Sequence, residues 1–144
     1  MTQSNANNLT INSRVNSSAL PDSIRTLLRD VVLEDGFSIE GSLYSHNLNA
    51  SGSGTVQGSV LVRREVTLTP PEDLAEQTPM MFLSGIYAGV SLSVSVSDRL
   101  IDKSPVHDYE FTPLIIKGDI VAPRLRLENA VVAGNIHADS AVIR

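Results

Sequence analysis

One short phrase recurs along this chain. Residues 116–122 read IKGDIVA and residues 132–138 read VAGNIHA, so the same pattern returns after sixteen residues. Related phrases stand at 39–43 (IEGSL) and 56–60 (VQGSV), seventeen residues apart. A catalytic loop rarely needs such duplication, whereas a stacked structural unit must recur, because each copy covers the apolar face of the one before. The repeat therefore predicts a solenoid.

Within each repeat, apolar and polar residues alternate with the period of a β-strand. In the stretch RLRLE, Leu125 and Leu127 are separated by Arg126, which places the two leucines on one face and the charges on the other. We predict an all-β fold, a parallel β-helix with about 16–18 residues per coil. A β-sandwich would favour Asn-Gly or Asp-Gly hairpin turns, and Asp35-Gly36 is the only such dipeptide.

The N-terminal 33 residues differ in composition from the rest of the chain. Residues 1–19 are rich in Asn and Ser and poor in apolar side chains, which predicts a flexible arm. The stretch 20–33 (LPDSIRTLLRDVVL) has apolar residues at helical spacing after a Pro-Asp start, which predicts a short capping helix. Residues 20–144 then form the β-helix domain.

The middle of the chain, residues 69–113, interrupts the repeat and predicts an irregular insertion. Its stretch 78–97 has no charged residue and is long enough for a membrane helix. Its serines and its alternation of Val90, Leu92, Val94 and Val96 instead favour buried strands of the solenoid. The sixty residues from Gly58 to Gly118 leave room for about three further coils besides loops.

Composition excludes several classes of function. The chain of 144 residues has no Cys and a formal net charge of -5, which disfavours thiolate metal sites, disulfides and binding to nucleic acid. The N-terminus lacks the pattern of a secretion signal, so the expected location is the cytoplasm. The glycines of GSGTVQG (52–58) lack dinucleotide-binding spacing and are expected in turns.

Polar residues give no catalytic constellation. His46, His107 and His137 are far apart in the sequence and are expected on turns or outward positions. The acidic pairs at 34–35, 72–73 and 108/110 resemble the carboxylates of glycosidases, but loop positions favour solvated charge. We therefore predict no enzyme activity and no catalytic, cofactor or metal site.

The four phrases IEGSL, VQGSV, IKGDI and VAGNI together resemble the core repeat of the bactofilins, the polymer-forming bacterial cytoskeletal proteins. The resemblance covers about residues 35–68 and 114–144. It implies a right-handed β-helix that assembles end to end without nucleotide, often as a scaffold at the inner face of the membrane. It also implies membrane or cell-envelope proteins as partners besides the chain itself. The insertion at 69–113 departs from the even coils of that family.

The ends of a solenoid expose apolar faces and unpaired backbone groups. The chain stops at Arg144 in mid-coil, so we expect that a partner completes the coil or that the natural protein continues. The leading hypothesis is a self-assembling scaffold. The alternative is a carbohydrate-binding or adhesion β-helix of phage or cell-envelope type, with the 69–113 loops as its binding face. The predicted assembly interface consists of Phe37, Ile39, Leu43, Val132, Ile136, Val142 and Ile143.

Overall fold

The computed structural model describes residues 8–16, 29–71, 78–94, 113–128 and 130–143, and every regular element in these ranges is a β-strand. The strands are β1 (Asn8–Ile11), β2 (Arg14–Asn16), β3 (Asp30–Leu33), β4 (Phe37–Glu40), β5 (Leu43–Ser45), β6 (Leu48–Ser51), β7 (Gly54–Val56), β8 (Val60–Val62), β9 (Glu65–Thr69), β10 (Met80–Phe82), β11 (Ile86–Ala88), β12 (Ser91–Val94), β13 (Leu114–Ile116), β14 (Ile120–Val121), β15 (Arg124–Leu127), β16 (Ala130–Val132), β17 (Ile136–His137) and β18 (Ser140–Ile143).

The strands form three parallel sheets that the chain visits in turn. Sheet A has the order β1-β3-β6-β9-β12-β15-β18, sheet B has the order β2-β4-β7-β10-β13-β16, and sheet C has the order β5-β8-β11-β14-β17. Each strand pairs with its equivalents in the neighbouring coils and not with the strand that follows it in sequence. This is the arrangement of a parallel β-helix, and the predicted all-β solenoid is confirmed.

The core is built from columns of side chains that point into the coil. In sheet A, Leu33 pairs with Ala50, Ala50 with Leu68, and Leu68 with Val94, and all four side chains are buried. Because strand neighbours one coil apart point the same way, the alternation within a coil becomes a continuous apolar column along the axis. Burying each large aliphatic side chain contributes about 1.5–3 kcal/mol.

The recurring glycine phrase forms the turn between sheet B and sheet C. The amide of Gly58 donates to the carbonyl oxygen of Gly41 at 2.9 Å, and a Cβ on Gly58 would overlap the Gly41 backbone. Gly118 packs in the same way on the backbone of Ser84 and Gly85, and Gly134 packs on Gly118. At these three glycines the turns of successive coils stack backbone on backbone, where a side chain has no room, while Ser84 holds the equivalent place in the coil between Gly58 and Gly118.

The N-terminal predictions differ from the structure. Residues 8–11 and 14–16, expected in a flexible arm, form β1 and β2, which pair with β3 and β4. Residues 30–33, expected at the end of a capping helix, form β3, with Val31 and Leu33 buried. Residues 20–28, the rest of that helix, lie outside the described residues. The apolar residues of β3 fit both a helical and a strand periodicity. Pairing of β3 with β1 and β6 stabilises the strand.

The predicted insertion at 69–113 is divided by regular strands. Strands β10, β11 and β12 continue sheets B, C and A, so the uncharged stretch contributes strands to the core as its alternation indicated. Gly118 lies two coils beyond Gly58, so the prediction of about three further coils between them was wrong. The connections that join these coils are longer than expected. No helix among the described residues is long and apolar enough to span a membrane.

Two long connections begin and end at the same corner of the solenoid. One joins β9 to β10 and the other joins β12 to β13, so each leaves sheet A and returns in sheet B of its own coil. The register on both sides is kept: β10 pairs with β7 and with β13, and β12 pairs with β9 and with β15. The extra residues are therefore added at one corner without disturbing the stack.

Candidate functional site

The last coil ends all three sheets of the described solenoid. Strands β18, β16 and β17 are the final strands of sheets A, B and C, and each pairs with a described strand on one side only. A parallel edge strand presents a row of N–H and C=O groups on its open side. This end therefore offers three strand edges around one open core.

The core columns continue into this coil and are exposed there. Ile143 follows buried Leu127 in its column and is 60% exposed, and Ile136 follows buried Ile120 and is 36% exposed. Val132 follows Ile116 and is half-buried. Side chains of the type that fills every earlier coil thus reach solvent, because no described coil covers them.

Two further valines of the last coil point outward. Val142 pairs with exposed Arg126 and is 46% exposed, and Val131 pairs with Ile115 and is 50% exposed. Val142 was predicted as part of the end surface but lies on the side of sheet A. Val131, which stands next to half-buried Val132, was not among the predicted residues of the end surface.

The predicted N-terminal half of the assembly interface is buried. Phe37, Ile39 and Leu43 are each no more than 1% exposed, so none of them forms an exposed end surface. Strand β2 covers β4, with Val15 as the partner of Ile39. Residues that were predicted as an arm therefore add a strand to sheet A and a strand to sheet B at this end, while Leu43, in the first described strand of sheet C, is buried as well.

The candidate catalytic residues are not brought together. His137 is exposed in β17, while His46 is half-buried at the corner between sheets C and A. Asp35 lies at the corner between sheets A and B, and its Oδ1 accepts a hydrogen bond from the Ser53 amide at 2.8 Å. Residues 72–73, 107, 108 and 110 lie outside the described residues. Across the described ranges, no group of three His, Asp or Glu side chains could hold a metal ion.

One shallow depression lies on the outer side of sheet C. It has a volume of about 260 Å³ and is lined by Leu61, Val62, Arg63, Tyr87, Ala88 and Gly89. The long connections leave from the corner between sheets A and B, which in a three-sided solenoid is opposite sheet C. Tyr87 is therefore on a different side from the described ends of the 69–113 loops, which the alternative hypothesis takes as the binding face, and Tyr109 lies outside the described residues.

Comparison of the chain with protein-family models, with curated proteins and with solved structures finds no match. Its function is therefore inferred from its own residues.

Proposed function

We propose that this chain is a non-enzymatic structural scaffold that assembles end to end through its C-terminal coil. The observation that carries the proposal is the exposure of the inward-facing side chains of that coil, Ile136 at 36% and Ile143 at 60%. In the preceding coil, the equivalent residues Ile120 and Leu127 are 0% and 2% exposed. One further layer of apolar side chains, supplied by a second copy, would complete the packing.

The backbone of the last coil supports the same proposal. The open edges of β16, β17 and β18 each carry donors and acceptors that hydrogen bonds to another strand would satisfy. A second copy that brings its own open edge covers both the apolar core and the edges in one contact. Pairing of like ends gives a closed dimer, and stacking of unlike ends gives a filament.

The resemblance to bactofilins extends the proposal in its details. Under it, the solenoid winds right-handed, polymerises without nucleotide and acts in the bacterial cytoplasm as a scaffold for other proteins. The repeated phrase supports this reading because it forms the stacked turn between sheets B and C, and so belongs to the architecture of the coil. Such a role requires no catalytic group.

Sedimentation velocity of the purified chain over a wide concentration range, without nucleotide, tests the proposal. Negative-stain images of the heaviest fraction distinguish filaments from small closed species. We expect association that increases with concentration. Folded protein that stays monomeric at the highest concentration would overturn the proposal and favour the alternative, a carbohydrate-binding or adhesion module.

A charge at the open end locates the contact. Ile143→Asp places a carboxylate in the exposed core column and should abolish assembly, because burying an unpaired charge is strongly unfavourable. Asn49→Asp adds the same charge to the exposed outer side of sheet A, and assembly should be unchanged. Circular dichroism confirms that both variants fold. Equal assembly of the two variants would exclude the C-terminal coil as the contact.

A further inference from the structure

Sheets A and B have an open edge at each end of the described solenoid. Sheet A begins with β1 and ends with β18, and sheet B begins with β2 and ends with β16. The strands at these edges pair in parallel with their neighbours, so the two edges of one sheet run in the same direction. An edge of this kind accepts a further strand that runs in that direction. The first strands of one copy are therefore suited to pair with the last strands of another.

The register of sheet A is continuous from its first strand to its last. Each residue of β1 leads through the paired strands to one residue of β18, and both strands have four residues. The inward column that begins at Leu9 ends at Ala141, and the one that begins at Ile11 ends at Ile143. A β1 strand placed on β18 in this register would add one more aliphatic residue to both core columns.

The inward side chains at the two ends of the columns are compatible in size and polarity. Leu9 would lie over exposed Ala141, so a large side chain would meet a small one. In sheet B, the column that begins at Val15 ends at Val132. Ile11 is already buried, whereas Leu9 and Val15 are half-buried, so the N-terminal strands still present apolar surface that a second copy would cover.

Thr10 and Val142 mark the same register on the outer side of sheet A. They are the first and last residues of one outward column, and both are exposed. Both are also β-branched, and such side chains pack well beside each other on the pleated surface of a sheet. The exposed Val142 therefore has, at the other end of its own column, a residue of matching shape.

Pairing of like ends would not continue this register. A two-fold axis perpendicular to the solenoid reverses the direction of the strands, so two copies of β18 would meet antiparallel. It also reverses the order in which the chain visits the three sheets, so only one sheet could meet its own equivalent. With sheet A on itself, the three residues of β16 would lie against the two residues of β17. Unlike ends instead match sheet A with sheet A and sheet B with sheet B.

We propose that copies of this chain associate through unlike ends, with β1 of one copy pairing in parallel with β18 of the next and β2 pairing with β16. This inference rests on the proposed function and specifies the surface that the open C-terminal coil contacts. The contact uses a different surface on each copy, so every pair keeps one free end of each kind. Repetition of the contact gives an open filament whose two ends differ.

Disulfide trapping tests the inference, because the chain has no native cysteine. Thr10→Cys and Val142→Cys change exposed residues that stand on the first and last of seven strands, so a bond between them forms only between copies. In the proposed register their Cα atoms lie about 4.8 Å apart, a distance that a disulfide can bridge. After mild oxidation, we expect a ladder of covalent multimers from the double variant and a covalent heterodimer from a mixture of the two single variants.

A second valine of the last coil provides the matched control. Val131 is 50% exposed and Val142 is 46% exposed, but Val131 points outward from sheet B. Thr10→Cys combined with Val131→Cys should give about tenfold less cross-linked product, because strands of different sheets do not meet in the proposed register. Circular dichroism checks that all cysteine variants fold like the unmodified chain.

The outcomes that would overturn the inference differ from one that would overturn the proposed function. Covalent dimers from Val142→Cys alone, with no longer product from the double variant, would show that like ends pair. Equal yields with Val131→Cys and Val142→Cys would show random collision, and no cross-link in a chain that still associates in sedimentation would place the contact elsewhere. A folded chain that stays monomeric would overturn the proposed function together with this inference.

Discussion

Phe37 and Gly54 are register partners in neighbouring strands of sheet B, and the Phe37 ring occupies the space that a Cβ on Gly54 would need. Phe37 is one of two phenylalanines that are fully buried in the described core, and the residue one coil away is the smallest available. In a column where coils are about 4.8 Å apart, a large ring fits only if the neighbouring residue in the column is small.

This relationship predicts strong coupling between the two positions. Gly54→Ala forces a methyl group against the ring and should lower the free energy of unfolding by about 2–3 kcal/mol. In a Phe37→Leu background the same change should cost at least 1 kcal/mol less, since the ring edge is gone. Urea denaturation of the four proteins measures the cycle, and additive effects would contradict the packing described.

The stacked turns predict a contrast between Gly58 and Ser84, which occupy the same place in successive coils because Val60 pairs with Ile86. Gly58→Ala should destabilise the protein by about 2–3 kcal/mol, because its Cβ would overlap the Gly41 backbone. Ser84→Ala keeps a Cβ that the fold already accommodates and removes one hydroxyl contact, to Ser59 Oγ at 3.1 Å. It should cost about 1 kcal/mol. Thermal unfolding ranks the two, and the reverse order would refute the stacking argument.

Two serines of one coil predict changes of opposite sign. The Ser45 hydroxyl is fully buried without a hydrogen-bond partner, so Ser45→Ala should raise the free energy of unfolding by about 1 kcal/mol. The Ser42 hydroxyl accepts from the Ser59 amide at 3.2 Å, so Ser42→Ala should lower it by about 0.5–1.5 kcal/mol. Urea denaturation measures both, and destabilisation by Ser45→Ala would reveal a partner for that hydroxyl.

Salt should not disrupt the proposed end-to-end contact. The proposed contact rests on apolar burial and strand pairing at Ile136 and Ile143, so added sodium chloride should leave assembly unchanged or strengthen it. Sedimentation velocity measured over a salt series checks this expectation. Assembly that dissociates in salt would indicate a charged contact instead of the open core.

Much of the coil could be predicted from the sequence, because strand alternation and turn glycines are local requirements. The segment 124–127 is exposed at its arginines and buried at its leucines, as its alternation predicts. Gly118 and Gly134 lie at the stacked turns as the phrase indicates. The composition of the arm, in contrast, gave no sign of β1 and β2, because their few apolar residues, Leu9, Ile11 and Val15, reach the core only when these strands pair with β3 and β4.

By itself, the sequence determined the repeat length, the parallel solenoid and the inward and outward faces of its regular strands, since these follow from local periodicity. The tertiary structure alone decided which residues stand next to one another across the long connections. Tyr87 and Val121 are aligned only because both loops leave at one corner and the register is recovered beyond them. The burial of Phe37 and the exposure of Ile143 were decided in the same way, because exposure at the end of a column depends on whether a further coil covers it.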